Sequence, residues 1–265
     1  MKKILNCAVI VSALAFSLSC KSGKQAQSSA SETLTVLTYN VRNCLGMDNT
    51  VNYQRVAKVI SKVNADVVAI QELDSATNRS KHLSVLHELA GLTGMIPTYH
   101  ASIDYQGGKY GIGILSKEKP LHVEGIALPG KEERRSVVVV EMKNYVFACT
   151  HFSLTEEDRI KSVALIDELT AKYSKPVLLG GDLNTTPASP VIKAFAKNWN
   201  VLSDTTKLTI PANKPTECID YIMARKQDGY TFNVLQSVVE NEPVASDHLP
   251  VWIKLSCTRS AKSKR

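Results

Sequence analysis

Seven side chains of this 265-residue chain stand out for the chemistry they could do: Glu72, His151, Asp182, Asn184, Asp220, Asp247 and His248. Most fall where an apolar run gives way to polar sequence. Asn40, Glu72, His151 and Asp182 close such runs, Asp220 lies inside one, and Asp247-His248 directly precedes Pro250-Val251-Trp252-Ile253. Asp and Asn also cap turns, so any single one of these positions says little. Repetition says more, because runs that pack side by side bring their ends to one rim. A rim of carboxylates, carboxamides and two histidines is a metal-binding and proton-transfer site.

The elements that must position these residues follow from periodicity. Leu34 to Val41 alternates and is rich in Val and Thr, which predicts a strand ending near Asn40. Val56, Val59, Ile60 and Val63 recur at helical spacing and predict an amphipathic helix. Asp66 to Ile70 reads as a short core strand running into Gln71-Glu72, and His82 to Leu92 as a second helix stopped by Gly94 and Pro97. Further strands are expected at Tyr110–Leu115, Val137–Met142, Tyr145–Thr150, Val177–Leu179, Cys218–Met223 and Val251–Leu255, with a hairpin turn at Lys143-Asn144. Between them, Thr155 with Asp158 suggests a capping box for a helix burying Ile160, Val163, Ile166 and Leu169. Helices mixed with many strands point to an α/β sandwich of two packed sheets with helices outside.

The two ends read differently from the middle. Met1-Lys2-Lys3 and the apolar run Ile4 to Leu18 resemble a secretory signal, too short for a permanent span. Cys20 sits where a lipoprotein signal places its acylated cysteine, so residues 1–20 are expected to direct export and Cys20 to anchor the chain to a membrane; an ordinary cleaved signal is the other reading. Residues 21–31 lack apolar content and are expected to be a tether, 32–257 one domain, and 258–265 a basic tail. The formal charge of +7 belongs largely to these ends, leaving the middle close to neutral. A protein that grips duplex DNA concentrates positive charge on its folded face, so the distribution argues against nucleic acid as the main partner. Cys44, Cys149, Cys218 and Cys257 show no zinc-type spacing, and Cys149 is expected to be an inert buried thiol.

Six short motifs occur in a telling order. Thr38-Tyr39-Asn40-Val41, Gln71-Glu72, Thr150-His151-Phe152, Gly181-Asp182-Leu183-Asn184, Ile219-Asp220-Tyr221-Ile222 and Ser246-Asp247-His248-Leu249-Pro250 resemble those of the endonuclease/exonuclease/phosphatase superfamily, over nearly all of residues 33–255. The resemblance implies a four-layered αββα sandwich like that of DNase I. It also implies Mg²⁺ or Mn²⁺ held by Glu72, with Asn40 in support and Asp247 close to the same ion, a donor set suited to such hard cations. His248 held by Asp220 would be the general base. Asp182 and Asn184 would orient the attacking water and bind phosphoryl oxygens, though Asp182 could itself activate that water. His151 would stabilise the pentacovalent phosphorus or assist the departing oxygen, but no acidic partner for it is evident. Arg135 resembles a phosphate contact, with a solvated charge as the equal alternative.

Three readings follow. The first is an exported, monomeric phosphodiesterase or phosphomonoesterase acting on a small-molecule or lipid phosphoester. The second is a nuclease, and the third a catalytically silent binding module. Intact histidines, metal-side residues and Gly-Asp-Leu-Asn set disfavour the third, and the near-neutral middle disfavours the second. Aromatics at 6% and the lack of an aromatic hairpin give no sign of insertion into lipid.

Overall fold

The computed structural model describes residues 33–259. The chain runs β1 (Thr33–Asn40), α1 (Tyr53–Val63), β2 (Val67–Ser75), α2 (Val85–Thr93), β3 (Ile96–Tyr105), β4 (Gly108–Ser116), β5 (His122–Leu128), β6 (Arg135–Glu141), β7 (Val146–His151), α3 (Glu156–Ala171), β8 (Val177–Asp182), α4 (Pro190–Phe195), β9 (Trp199–Val201), β10 (Asp220–Arg225), β11 (Tyr230–Val239) and β12 (Val251–Arg259). The expected signal, tether and Cys20 lie outside the described residues.

The strands form two six-stranded sheets, ordered β11-β12-β1-β2-β4-β3 and β5-β6-β7-β8-β10-β9. Each contains one parallel pair joined through a helix, β1-α1-β2 and β7-α3-β8, and the remaining pairs are antiparallel. Val36, Val67, Ile114, Val138, Phe147, Leu178 and Ile253 fill the space between the sheets. The outer face of the first sheet is covered by α1 and α2 through Val56, Ile60, Leu86 and Leu89. Val163, Ile166, Phe195 and Trp199 belong to the matching core outside the second. This is the DNase I-like αββα sandwich.

Several sequence expectations shift. The α2 helix begins at Val85 rather than His82, because Lys81 and His82 adopt left-handed φ values of 54° and 62° in the preceding turn. Thr155 caps nothing with its side chain: its hydroxyl donates to Glu132, while Asp158 is buried and accepts from Lys131 N. Val163 and Ile166 are buried as expected, together with Ser162 and Thr170, while Ile160 is exposed. At the other end β12 continues through Thr258 and Arg259, which pair with Thr231 and Tyr230, so the expected tail begins inside a strand.

Two glycines set how closely β8 packs, Gly181 against β7 in its own sheet and Gly180 also against β2 of the other. A Cβ on Gly181 would lie 2.4 Å from Thr150 O, and one on Gly180 would press on Ala69 and Phe147 at 3.1 Å. These glycines let β8 lie tightly between its neighbours just before Asp182. At the opposite end the sheets bound a cleft of about 290 Å³ lined in part by Leu34, Leu178, Phe232 and Leu255.

Candidate active site

The carboxyl ends of the parallel strands supply half of the site: Asn40 ends β1, His151 ends β7 and Asp182 ends β8. Register does the rest. His151 is the parallel partner of Asp182, and Asp220, opening β10, is its antiparallel partner on the other side. Neighbouring strands are about 4.8 Å apart, so these three side chains are adjacent by construction. The sequence placed Asp220 inside a strand; it stands at the start of one.

Glu72 reaches the rim by a different device. The β2–β4 register breaks between Ile70 and Leu73, and Glu72 takes a left-handed φ of 61°. Such a bulge re-aims a side chain. Gln71 therefore lies buried against Thr38 Oγ1 (3.3 Å) and Cys149 Sγ (3.5 Å), while Glu72 stays partly accessible. A non-glycine residue in this conformation costs about 1–2 kcal/mol, which the surrounding sheet must offset.

Asn40 joins the two sheets. Its Nδ2 donates to Glu72 Oε1 (2.9 Å) and Asp182 Oδ2 (3.0 Å), and its Oδ1 accepts from Arg42 N (3.1 Å). It thus offers Glu72 an N–H, and its oxygen is already engaged. His248 Nδ1 is 2.9 Å from Asp220 Oδ2, and its Nε2 stands 3.7 Å from Asp182 Oδ2. The missing partner of His151 is also Asp182, whose Oδ2 lies 3.5 Å from His151 Nε2.

Arg135 is buried, not solvated. Its Nη1 lies 3.2 Å from His151 Nδ1, and Glu132 and Glu133 flank it. Because a guanidinium only donates, Nδ1 must accept and Nε2 must carry the imidazole proton. Asn184 N donates to Asp182 Oδ1 (2.9 Å), and its side-chain amide donates to Phe152 O (2.9 Å), which pins the loop after β8. Asp247 stands apart on the more open side, where Arg42 Nε approaches it at 3.5 Å. Arg42 was not anticipated from sequence, although it follows Asn40 by two residues.

The two histidines differ electrostatically. Burial, helped by Arg135 and His248 and only partly opposed by Asp182, pushes His151 down to about 3. His248 is also buried, but the charges of Asp220 and Asp182, the hydrogen bond to Asp220 and the charge of Asp247 outweigh burial and raise it to about 10. Burial raises the Glu72 carboxyl; the Asn40 hydrogen bond opposes this, and Asp247 adds to it.

The donor chemistry fits a hard divalent cation. Glu72 has no basic side chain paired with it among the described residues, and Asp220 Oδ1 is buried without a hydrogen-bond partner. The tightest group of potential ligand atoms is Asp182, Asp220 and His248, within 4.8 Å of one another. That trio differs from the expected Glu72, Asn40 and Asp247. His248 Nδ1 engages only Asp220 Oδ2, so Asp220 Oδ1 and the carboxylates of Glu72, Asp182 and Asp247 are the oxygens that could meet an ion.

Residues 37–248 match the Endonuclease/Exonuclease/phosphatase family, and the chain belongs to it. The family acts on phosphoester bonds. Solved structures share the fold at low identity. The endonuclease/exonuclease/phosphatase from Beutenbergia cavernae DSM 12333 gives a TM-score of 0.66 at 21% identity, covering 85% of this chain and 72% of that one. The mannosyl-6-phosphatase of Bacteroides thetaiotaomicron VPI-5482 gives 0.64 at 18%, covering 84% and 99%. The human Nocturnin catalytic domain, solved with a sulfate anion, gives 0.65 at 18%, covering 85% and 95%. No curated protein matches the chain.

Proposed function

We propose that this chain is an exported, Mg²⁺- or Mn²⁺-dependent hydrolase of a small-molecule or lipid phosphoester, with His248 as the base that activates water. The observation carrying this reading is the 2.9 Å His248–Asp220 pair, whose Nε2 stands 3.5 Å from Asn40 Nδ2 and faces Asp182 within the Asn40–Glu72 cluster.

In this reading water attacks phosphorus as His248 Nε2 takes its proton, and the ester oxygen departs on the opposite side. Asp220 fixes the tautomer of His248 and stabilises the imidazolium that forms. Asp182 and Asn184 position the water. His151, neutral with its proton on Nε2, donates a hydrogen bond to a phosphoryl or leaving oxygen and does not act as a strong acid. Glu72, Asp182 and Asp247 would hold the cation, with Asn40 keeping Glu72 oriented. The cation supplies positive charge that stabilises the phosphoryl oxygens and offsets the carboxylates that otherwise keep His248 protonated.

Replacing His248 by Ala should lower turnover by at least the roughly 10²-fold typical of losing a general base. The assay should offer bis-p-nitrophenyl phosphate, sugar phosphates, inositol phosphates, sphingomyelin and plasmid DNA side by side with Mg²⁺ and Mn²⁺. Near-wild-type turnover in the variant would remove His248 from the mechanism, and turnover of DNA alone would favour the nuclease reading. The export part rests on the Lys2-Lys3 start, the apolar run to Leu18 and Cys20. Mass spectrometry of the mature N-terminus tests it: an unmodified, uncleaved start contradicts it.

A further inference from the structure

Two arginines near the rim pair with carboxylates in opposite ways. Arg79 grips Asp74 as a fork, Nε to Oδ2 at 2.6 Å and Nη2 to Oδ1 at 2.8 Å, with Asp74 wholly buried and the guanidinium 4.7 Å over the Tyr105 ring. Arg79 is itself 39% exposed, but removing it would strand the buried Asp74 charge, so this two-point pair is a permanent fastening. Arg42 meets Asp247 through a single 3.5 Å Nε contact, too long for a strong hydrogen bond. Both side chains are about one-third exposed, at 36% and 32%. A pair of this kind can be exchanged.

The backbones behind this loose contact are held firmly. Arg42, Asn43 and Cys44 all adopt left-handed φ values of 46°, 53° and 60°, an uncommon run for residues with side chains. The turn is fastened on both sides: Arg42 N donates to Asn40 Oδ1, Ser246 Oγ donates to Asn40 O at 2.8 Å, and Met47 N donates to Val244 O at 2.9 Å. A Cβ on Gly46 would lie 2.6 Å from Val244 O, so the loop after β1 and the loop before His248 fit closely. A rigid frame therefore presents a movable guanidinium to a carboxylate of the site that is about one-third exposed.

We propose that Arg42 is the site's own counter-cation: it neutralises Asp247 in the cation-free chain, and a divalent ion entering beside Glu72 and Asp247 displaces it. The proposal rests on the metal-dependent reading given above and adds to it that cation affinity is set by competition with Arg42. The left-handed turn keeps the competing charge beside Asp247 and away from Glu72.

The test is direct Mn²⁺ binding, by calorimetry and by loss of the free-ion electron-paramagnetic signal, on wild type, Arg42→Gln, Arg42→Lys, Asp247→Asn and the Arg42→Gln/Asp247→Asn double variant. Thermal melts check that each is folded; Gln and Lys are unbranched at Cβ like Arg and leave the turn equally strained. Arg42→Gln should bind Mn²⁺ roughly two- to fivefold more tightly, the range a partly exposed ion pair can supply. Arg42→Lys, which keeps the charge, should stay close to wild type. In the Asp247→Asn background the Arg42→Gln gain should vanish, which separates the pair from a general change in charge. If wild type binds Mn²⁺ and Arg42→Gln binds no more tightly, or the gain persists without Asp247, the counter-cation role is overturned while the metal reading stands. If neither wild type nor any variant binds, both fall together.

Discussion

His151 and His248 approach the same oxygen, Asp182 Oδ2, yet their surroundings drive them to opposite protonation states. Arg135 is one cause that can be removed. Burial is the main cause and Arg135 adds to it, so Arg135→Met should raise the His151 titration above its value of about 3, while burial keeps it below the ordinary 6.5. Ring-proton NMR across an acid titration measures this. An unchanged His151 would show that the guanidinium does not act on it electrostatically, and a rise beyond 6.5 would mean that Asp182 had come to dominate. Sequence made six residues of the candidate site visible: Asn40, Glu72, His151, Asp182 and Asp220 interrupt apolar sequence at a strand end or bulge, and His248 stands just before the apolar run of β12. It could not reveal Arg42, or the burial of Arg135, because a charge in Lys131-Glu132-Glu133-Arg134-Arg135 looks solvated until strand register places His151 beside it.

At the scale of elements, legibility followed position in the sheet. The eight strands anticipated from sequence are β1, β2, β4, β6, β7, β8, β10 and β12, every one of them with a neighbour on both sides. The four that were not, β3, β5, β9 and β11, are the four edges. Central strands covered on both faces must be apolar throughout, and so announce themselves. Edge strands carry what an apolar run does not: β3 contains Pro97 and is partly exposed along most of its length, and β5 contains Gly125 and Glu124. The capping box failed for a related reason. Thr155 and Asp158 have the right spacing, but Glu132, from the segment before β6, takes the local donors: Leu154 N at 2.7 Å, Ser153 Oγ at 3.0 Å and Thr155 Oγ1 at 3.3 Å. Burial pushes the Glu132 carboxyl up, but these hydrogen bonds and the Arg135 charge override it and hold it at about 2. A carboxyl lowered in the folded state stabilises above its unfolded value near 4.5, and that stability is lost as pH falls from there towards 2. Glu132→Gln should therefore melt below wild type at pH 7, with the gap closing between about pH 4.5 and 2. A gap that is constant over that range would mean that the carboxylate charge contributes nothing.

Across the whole molecule, the two β-α-β units bring their strand ends to one rim, and the residues proposed to do chemistry come from both sheets. Hydrolysis should therefore be lost on unfolding in step with the sandwich. Strand β1 enters the domain at Thr33 and ends at Asn40, so the amino-terminal entry and the site are separated by the length of a strand, roughly 23 Å at 3.3 Å per residue. Leu34 lines the cleft at the entry end, and Asn40 joins Glu72 to Asp182 at the other. A chain tied to a surface through the segment before Thr33 would be tied at the end of β1 far from Asn40, so attachment there leaves the site free to meet a dissolved ester. The mature protein attached to vesicles should then hydrolyse a dissolved phosphoester as fast as the free domain does. Headgroups in the bilayer that carries it are the substrate to compare. Faster turnover of those headgroups than of the dissolved ester would show that the domain lies down on its membrane, and the substrate would have to be sought there.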